Sequence, residues 1–369
     1  MTPAPVRART IGPVRIVGAG LLGASIGLAL RRLGVDVILD DISPSAVRLA
    51  VDYGAGRAGV AGDSPRLIVV CVPPDSVARS VAAELAAYPH ALVTDVASVK
   101  LAPLGELQSL GADISRYVGS HPMAGRERGG AIAARADLFV GRPWVIANHD
   151  RIADRRAADS ALEALALDLG AVPVELDAAE HDRSVALVSH VPQVISSLLA
   201  ARLVESSDAA VGLAGQGLRD TTRIAGSQPE LWVQILGANS AAVVDILKHY
   251  RADLDEVIGA LADPQAPGAL RAVAESLASG NAGVARIPGK HGQAKHFSQL
   301  VVLVDDVPGQ LARLLTEIGS IGVNVEDLRL EHSPGAQFGL AEISVVPEAE
   351  QHLLAELERL GWKIAGAQD

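Results

Sequence analysis

Cys71 is the one cysteine in 369 residues, so no internal disulfide can form. Cations are scarce as well: 32 Lys and Arg stand against 43 Asp and Glu, a net charge of −11. An acidic surface of that kind repels phosphate backbones and anionic lipid. Long apolar runs are missing, because Gly, Pro or a charge interrupts each one before the roughly 20 residues that cross a bilayer. The start, residues 2–9, has no apolar stretch of the secretory kind. These absences predict no nucleic-acid partner, no membrane partner and a cytoplasmic location. What is abundant is apolar: 49% hydrophobic against 20% charged residues excludes disorder, and the length has room for two or three domains.

Short runs at 14–17, 35–39, 67–72, 91–94, 144–147 and 172–176 are mostly Val, Ile or Leu. Runs apolar on both faces belong in a parallel sheet covered by helices. The stretches 21–33, 44–52 and 153–169 between them are Ala/Leu/Arg-rich and long enough for crossover helices. This predicts an α/β fold whose first domain, 11–177, is a Rossmann-type doubly wound sheet. Over 178–284 helical spacing replaces the strand signal, with more apolar surface than so small an all-helical domain can bury, so a homodimer is expected. A Gly/Lys/Pro-containing linker follows at 285–295. Residues 296–369 then read strand, helix, strand, strand, helix, strand, a ferredoxin-like βαββαβ domain.

Gly18-Ala19-Gly20-Leu21-Leu22-Gly23 directly follows the first strand and opens a helix. Gly18 permits the tight turn, Gly20 lets a pyrophosphate approach, and Gly23 lets helix and strand pack closely. The N–H groups at the helix start, around Leu21 and Leu22, face the anion. Asp40, at the end of the second strand, suits a ribose 2′-hydroxyl. With Asp41 beside it and no Arg until Arg48, the pattern favours NAD over NADP.

Two more segments fall where later strands should end: Thr94-Asp95-Val96-Ala97-Ser98-Val99-Lys100 and His121-Pro122-Met123-Ala124-Gly125. His121, after a strand and held by a stiff backbone, reads either as the type of group that accepts a hydroxyl proton near neutral pH or as a surface-loop histidine. Ser98 reads either as an active-site hydrogen-bonder or as a helix N-cap. In the helical part, Pro192 beside His190 can kink a helix and aim the ring at a cleft. Arg223 suits bidentate capture of a carboxylate, or an ion pair with Asp220. Cys71 reads as a packing residue. His291 and His296 lack a third ligand, so no metal is expected.

Taken in order and spacing, GAGLLGAS, TDVASVK, HPMAG, SHVPQ and LRDTTRIAGSQPELW resemble the TyrA family of prephenate and arogenate dehydrogenases. The resemblance implies NAD-dependent oxidative decarboxylation of a cyclohexadienol in tyrosine biosynthesis. It implies that His121 accepts the 4-hydroxyl proton and Ser98 holds the geometry. Arg223 would clamp a substrate carboxylate, with His190, Gln193 and Trp232 lining the cleft between the first two domains. Gln193 stands where many members carry a second histidine, which leaves arogenate open beside the favoured prephenate. The tail, through Asp305-Asp306-Val307-Pro308-Gly309-Gln310-Leu311 and Gly322-Val323-Asn324-Val325, resembles an ACT regulatory domain. That resemblance implies an aromatic amino-acid effector, tyrosine, near Asp306, Gly309 and Asn324. The competing readings are a two-domain dehydrogenase with a lysine in its helical part, where this chain has only Lys248, and a non-catalytic NAD and amino-acid sensor.

Overall fold

The computed structural model describes residues 7–124, 130–287, 297–332 and 338–365. Two compact units divide the chain, one of Met1–Glu205 with Thr222–Tyr250 and one of Ser206–Thr221 with Arg251–Asp369.

In the first unit the Val/Ile/Leu runs form strands because branched side chains suit a pleated surface covered on both sides. The order is β1 (Val14–Val17), α1 (Leu21–Arg32), β2 (Val37–Asp40), α2 (Pro44–Asp52), β3 (Arg57–Ala58), β4 (Leu67–Val70) and α3 (Val77–Ala87). It continues through β5 (Leu92–Asp95), α4 (Leu101–Ser109), β6 (Tyr117–Pro122), β7 (Pro143–Asn148), α5 (Arg155–Asp168) and β8 (Val172–Asp177). The sheet runs β3-β2-β1-β4-β5-β6-β7-β8. Alternation along β4 shows why it is apolar throughout: Leu67 and Val69 enter one core, Ile68 and Val70 the core on the opposite face.

Two features depart from the sequence expectation. The sheet is mixed rather than wholly parallel, since β7 runs antiparallel to β6. Among the described residues their connection contains a single short 3-10 turn, Ala131–Ala133, and no crossover helix, and only a crossover returns a strand parallel. β6 itself carries Gly, Ser, His and Pro, which hide it from an apolar-run reading, yet all six of its residues are buried. His121 therefore sits within a strand and not in a loop after one.

Asp177, the last residue of β8, accepts the Glu180 N–H at 2.7 Å and starts α6 (Ala178–Val185). A π-helical turn, Ala186–His190, joins it to α7 (Val191–Ala201), whose first turn holds Pro192. The chain next forms α8 (Asp208–Gly212) and α9 (Gln216–Thr222). A 3-10 turn at Arg223–Gly226 leads to α10 (Pro229–Ala238) and α11 (Ser240–Ala262), which meet at a 93° bend.

The expectation that no run is long enough to cross a membrane needs correction. The continuous helical stretch Ala178–Ala201 is long and apolar enough by length and composition, and the bent α10–α11 pair is a second candidate only if counted as one. The charged and polar residues His181, Asp182 and His190 lie buried within that stretch and bond to other elements of the unit, as in a core helix.

In the second unit α12 (Ala269–Val284) precedes β9 (Ser298–Asp305), α13 (Gln310–Ile321), β10 (Asp327–His332), β11 (Phe338–Val345), α14 (Pro347–Arg359) and β12 (Lys363–Ala365). The four strands form an antiparallel sheet, β10-β11-β9-β12, matching the expected βαββαβ order. Val302, Ile343, Leu314, Ile318, Leu353 and Leu357 pack its two helices on one face.

Candidate active site

The turn between β1 and α1 has the geometry its glycines foretell. Gly18 is left-handed at φ 103°, and a Cβ there would overlap the Cys71 carbonyl oxygen. A Cβ on Gly23 would overlap the Gly18 carbonyl oxygen, whereas one on Gly20 meets nothing within 4 Å. Gly18 and Gly23 are thus demanded by the fold, and Gly20 faces open space where a ligand can approach. No side chain caps α1, so the N–H groups around Leu21 and Leu22 are left for an anion.

The two carboxylates after β2 divide their work. Asp41 accepts the Ala19 N–H at 2.8 Å and so ties the glycine turn to the second strand. Asp40 keeps a half-exposed carboxylate, 3.0 Å from an Arg15 guanidinium nitrogen. Arg15 comes from β1 and is also held by Glu84, at 2.9 Å. A cation therefore stands beside Asp40 that a scan of the residues following Asp40 does not find. This donor set fits a dinucleotide: an open pyrophosphate turn, a free helix start and a carboxylate for a ribose.

His121 lies near the end of β6, past the last residue paired with β5, with its ring against His181 of α6. Its Nδ1 is 2.9 Å from His181 Nε2, and His181 Nδ1 is 2.7 Å from Asp182 Oδ1. Asp182 also accepts the Lys100 N–H at 2.8 Å and the Leu101 N–H at 2.9 Å, closing the start of α4. Beneath this chain the Lys100 ammonium pairs with Asp95 and donates to the Ser120 carbonyl at 2.7 Å. Tyr117 donates its hydroxyl to the other Asp95 oxygen at 2.7 Å. Gly119 makes room for the lysine, since a Cβ there would stand 2.8 Å from Lys100 Cδ.

Burial holds the His121 imidazole well below the usual histidine range, and His181, Lys100 and His190 push it the same way. The ring is thus kept neutral. Burial also lowers the Lys100 ammonium, with Asp95 pulling against it, and burial raises the Tyr117 hydroxyl. His190, at the end of the π turn, is pushed down to about 4, mainly by burial, against the nearby Asp182. Asn239 donates to the Asp182 carbonyl at 2.7 Å and lies 3.1 Å from His190 Nδ1. Trp232 sets its ring edge-on to His190 at 6.1 Å.

The other residues named from the sequence are placed as follows. Ser98 lies between β5 and α4 with no hydrogen-bond partner among the described residues, and it is not a helix cap, since α4 starts at Leu101. Arg223 is exposed and has no carboxylate partner among the described residues, while Asp220 takes its hydrogen bond from Gln216 at 2.8 Å. Gln193 is buried and donates along its own helix to Ser197 at 3.4 Å. Cys71 lies just past the end of β4, and burial raises its thiol, so it remains a packing group. Lys248 is exposed on α11. In the second unit Gly309 caps α13 at φ 91°, Asp306 is exposed, and Asn324 donates to Glu326 at 2.8 Å. His291, His296 and Gly125 lie outside the described residues. The main omissions from the sequence reading are His181, Asp182 and Arg15. The available signal for the first two was their spacing: His181 and Asp182 fall at helical intervals between Ala178 and Val185, on the face that α6 buries.

Comparison with known proteins agrees with this layout. Residues 26–174 match the family described as prephenate dehydrogenase, nucleotide-binding domain, and residues 177–275 match prephenate dehydrogenase, dimerization domain. The probable prephenate dehydrogenase NovF of Streptomyces niveus is 38% identical, over 94% of this chain and 98% of its own. Prephenate dehydrogenase of Bacillus subtilis is 25% identical over 90% of this chain and 91% of its own. Among solved structures, Synechocystis arogenate dehydrogenase is 30% identical with a TM-score of 0.60, covering 73% of this chain and 99% of its own. The chain belongs to the prephenate dehydrogenase family.

Proposed function

We propose that the protein is an NAD-dependent prephenate dehydrogenase, converting prephenate to 4-hydroxyphenylpyruvate and carbon dioxide. The observation that carries this reading is the neutral, buried His121, backed by His181 in the unit that bears the open glycine turn. The names of NovF and the Bacillus protein support prephenate as substrate. NAD, when bound, supplies the hydride acceptor. Gly18, Gly20, Leu21, Leu22 and Gly23 would cradle its pyrophosphate and Asp40 its adenosine ribose. His121 takes the 4-hydroxyl proton at Nε2 as hydride leaves that carbon. The bond to the ring carboxylate then breaks, its electron pair enters the ring, and His121 returns the proton to the oxygen. Ser98 orients the hydroxyl, Arg223 clamps a carboxylate, and His190, Trp232 and Gln193 form the cleft wall. Positioning and the removal and return of one proton suffice, because aromatisation supplies the driving force.

The C-terminal βαββαβ unit is proposed to be an ACT domain that binds tyrosine near Asp306, Gly309 and Asn324. The left-handed Gly309 at the head of α13 supports this, since a bare backbone admits a ligand's polar groups. A homodimer is proposed through the helical region, in keeping with the description of the matched family.

The test is NADH formation from NAD with prephenate and, separately, arogenate. Prephenate turnover that His121→Ala abolishes while NAD still binds is expected. Preference for arogenate would reassign the substrate, and turnover of neither would leave a dinucleotide-binding sensor. Arg223→Ala is expected to lower kcat/KM for prephenate with NAD affinity unchanged, and an unchanged kcat/KM removes the clamp.

A further inference from the structure

We propose that His181, backed by Asp182, is a positioning residue that sets the tautomer of His121 and thereby makes its outward nitrogen the base. The inference rests on the dehydrogenase reading for its kinetic consequence, though not for its structural one. Asp182 is held as an acceptor from three directions: the Lys100 N–H, the Leu101 N–H and His181 Nδ1. A carboxylate can only accept, so the proton between it and His181 belongs to His181 Nδ1. In neutral His181, Nε2 is then a lone pair. That lone pair faces His121 Nδ1 at 2.9 Å, so the hydrogen bond between the rings needs its proton on His121 Nδ1. With Nδ1 protonated, neutral His121 keeps its lone pair on Nε2, the nitrogen that must receive the substrate proton.

The order matters because each ring transmits the orientation of the one before. Asp182 never touches His121, yet it decides which His121 nitrogen is basic. The near-perpendicular packing of the two rings, at 76°, fits an edge-directed hydrogen bond and not a stack. When His121 takes up the substrate proton, its Nδ1–H still points at the His181 lone pair, so the imidazolium is stabilised where burial otherwise opposes it. The other groups bearing on His121 are Lys100, from the head of α4, and His190, from the π turn; both oppose its protonation. No group besides His181 offers it an acceptor among the described residues. Protonating His181 reverses the arrangement: both of its nitrogens then donate, and His121 must turn its lone pair inward.

Nitrogen NMR of the full chain with labelled histidine reads the tautomer without substrate. The wild type at neutral pH should show His121 protonated at Nδ1, and protonation at Nε2 instead would overturn the proposal. His181→Phe should shift His121 toward the Nε2–H form and lower kcat by about ten- to a hundredfold with NAD affinity unchanged. His181→Gln, which can return an amide oxygen to the acceptor position, should recover part of that loss and move the acid limb of kcat back toward wild type. A His181→Phe protein with kcat within about twofold of wild type and the same pH profile sinks the proposal; should it fail to fold, the wild-type tautomer still decides. Failure of the wild type to turn over either cyclohexadienyl substrate would count against the dehydrogenase reading alone, because the NMR result stands without it.

Discussion

Lys100 and Asp95 show how a charge is kept in the interior of the sheet. Both side chains are essentially without solvent, and the carboxylate is shared among Lys100, the Tyr117 hydroxyl and the Ala97 N–H. Lys100→Met removes the cation and leaves an uncompensated buried carboxylate, so it should cost about 3–5 kcal/mol, read as a lower denaturant midpoint at unchanged slope. A loss below about 1 kcal/mol would mean that Tyr117 and the backbone suffice. Histidine at the same site gives a pH prediction. The folded values of His121 and His190 lie below the ordinary 6.5, the latter at about 4. The unfolded chain therefore binds more protons between those limits, and stability rises with pH there. Stability is fully present above about pH 6.5 and is lost on acidification toward about pH 4. Urea midpoints across that range test the sign, and a flat profile would contradict the burial of these rings. For catalysis the same lowering moves the acid limb of kcat/KM below the histidine reference near ~6.5, where sequence alone would set it.

At the scale of elements, the glycine turn separates folding from binding. Gly23→Ala forces α1 away from β1 and should lower the melting temperature, whereas Gly20→Ala has room and should fold with normal stability while weakening NAD binding. Equal melting losses in both would refute that division. These glycines were readable because their spacing follows a run of Val and Ile, and the same periodicity disclosed β1, β4 and β5. β6 was not readable: Gly119 and Ser120 are there to admit Lys100 and to bond the Asp95 carbonyl, which are demands of neighbouring strands and not of the local pattern. The antiparallel β7 escaped for a related reason, since strand direction follows from the connection and leaves no mark in a short apolar run. Within the site, His121 was legible as a residue, but its partner lies 60 positions away. The relay exists only once β6 and α6 meet.

At the scale of the whole molecule, the apolar surface of the helices calls for a cover. In the first unit Leu187, Val188 and Leu198 are each more than half exposed, on the π turn and α7 that follow the buried His181–Asp182 pair. Solitary exposed apolar residues are ordinary, but several on consecutive turns form the kind of patch that a second copy covers. A stable dimer needs about 1,200–2,000 Å² of total buried surface, which a helical face of this character can contribute to in each partner. The proposed homodimer therefore predicts that light scattering gives twice the chain mass, and that Val188→Glu with Leu198→Glu gives a single chain mass at micromolar concentration. The substituted residues are solvent-facing within the chain, so the first unit should keep its fold and its NAD binding. A wild-type monomer, or a dimer indifferent to both charges, would place the interface elsewhere. If the effector acts across paired C-terminal units, that monomer should also lose inhibition by tyrosine, because a ligand alters activity only by favouring one arrangement over another. Inhibition that survives intact in the monomer would confine the regulatory coupling to one chain.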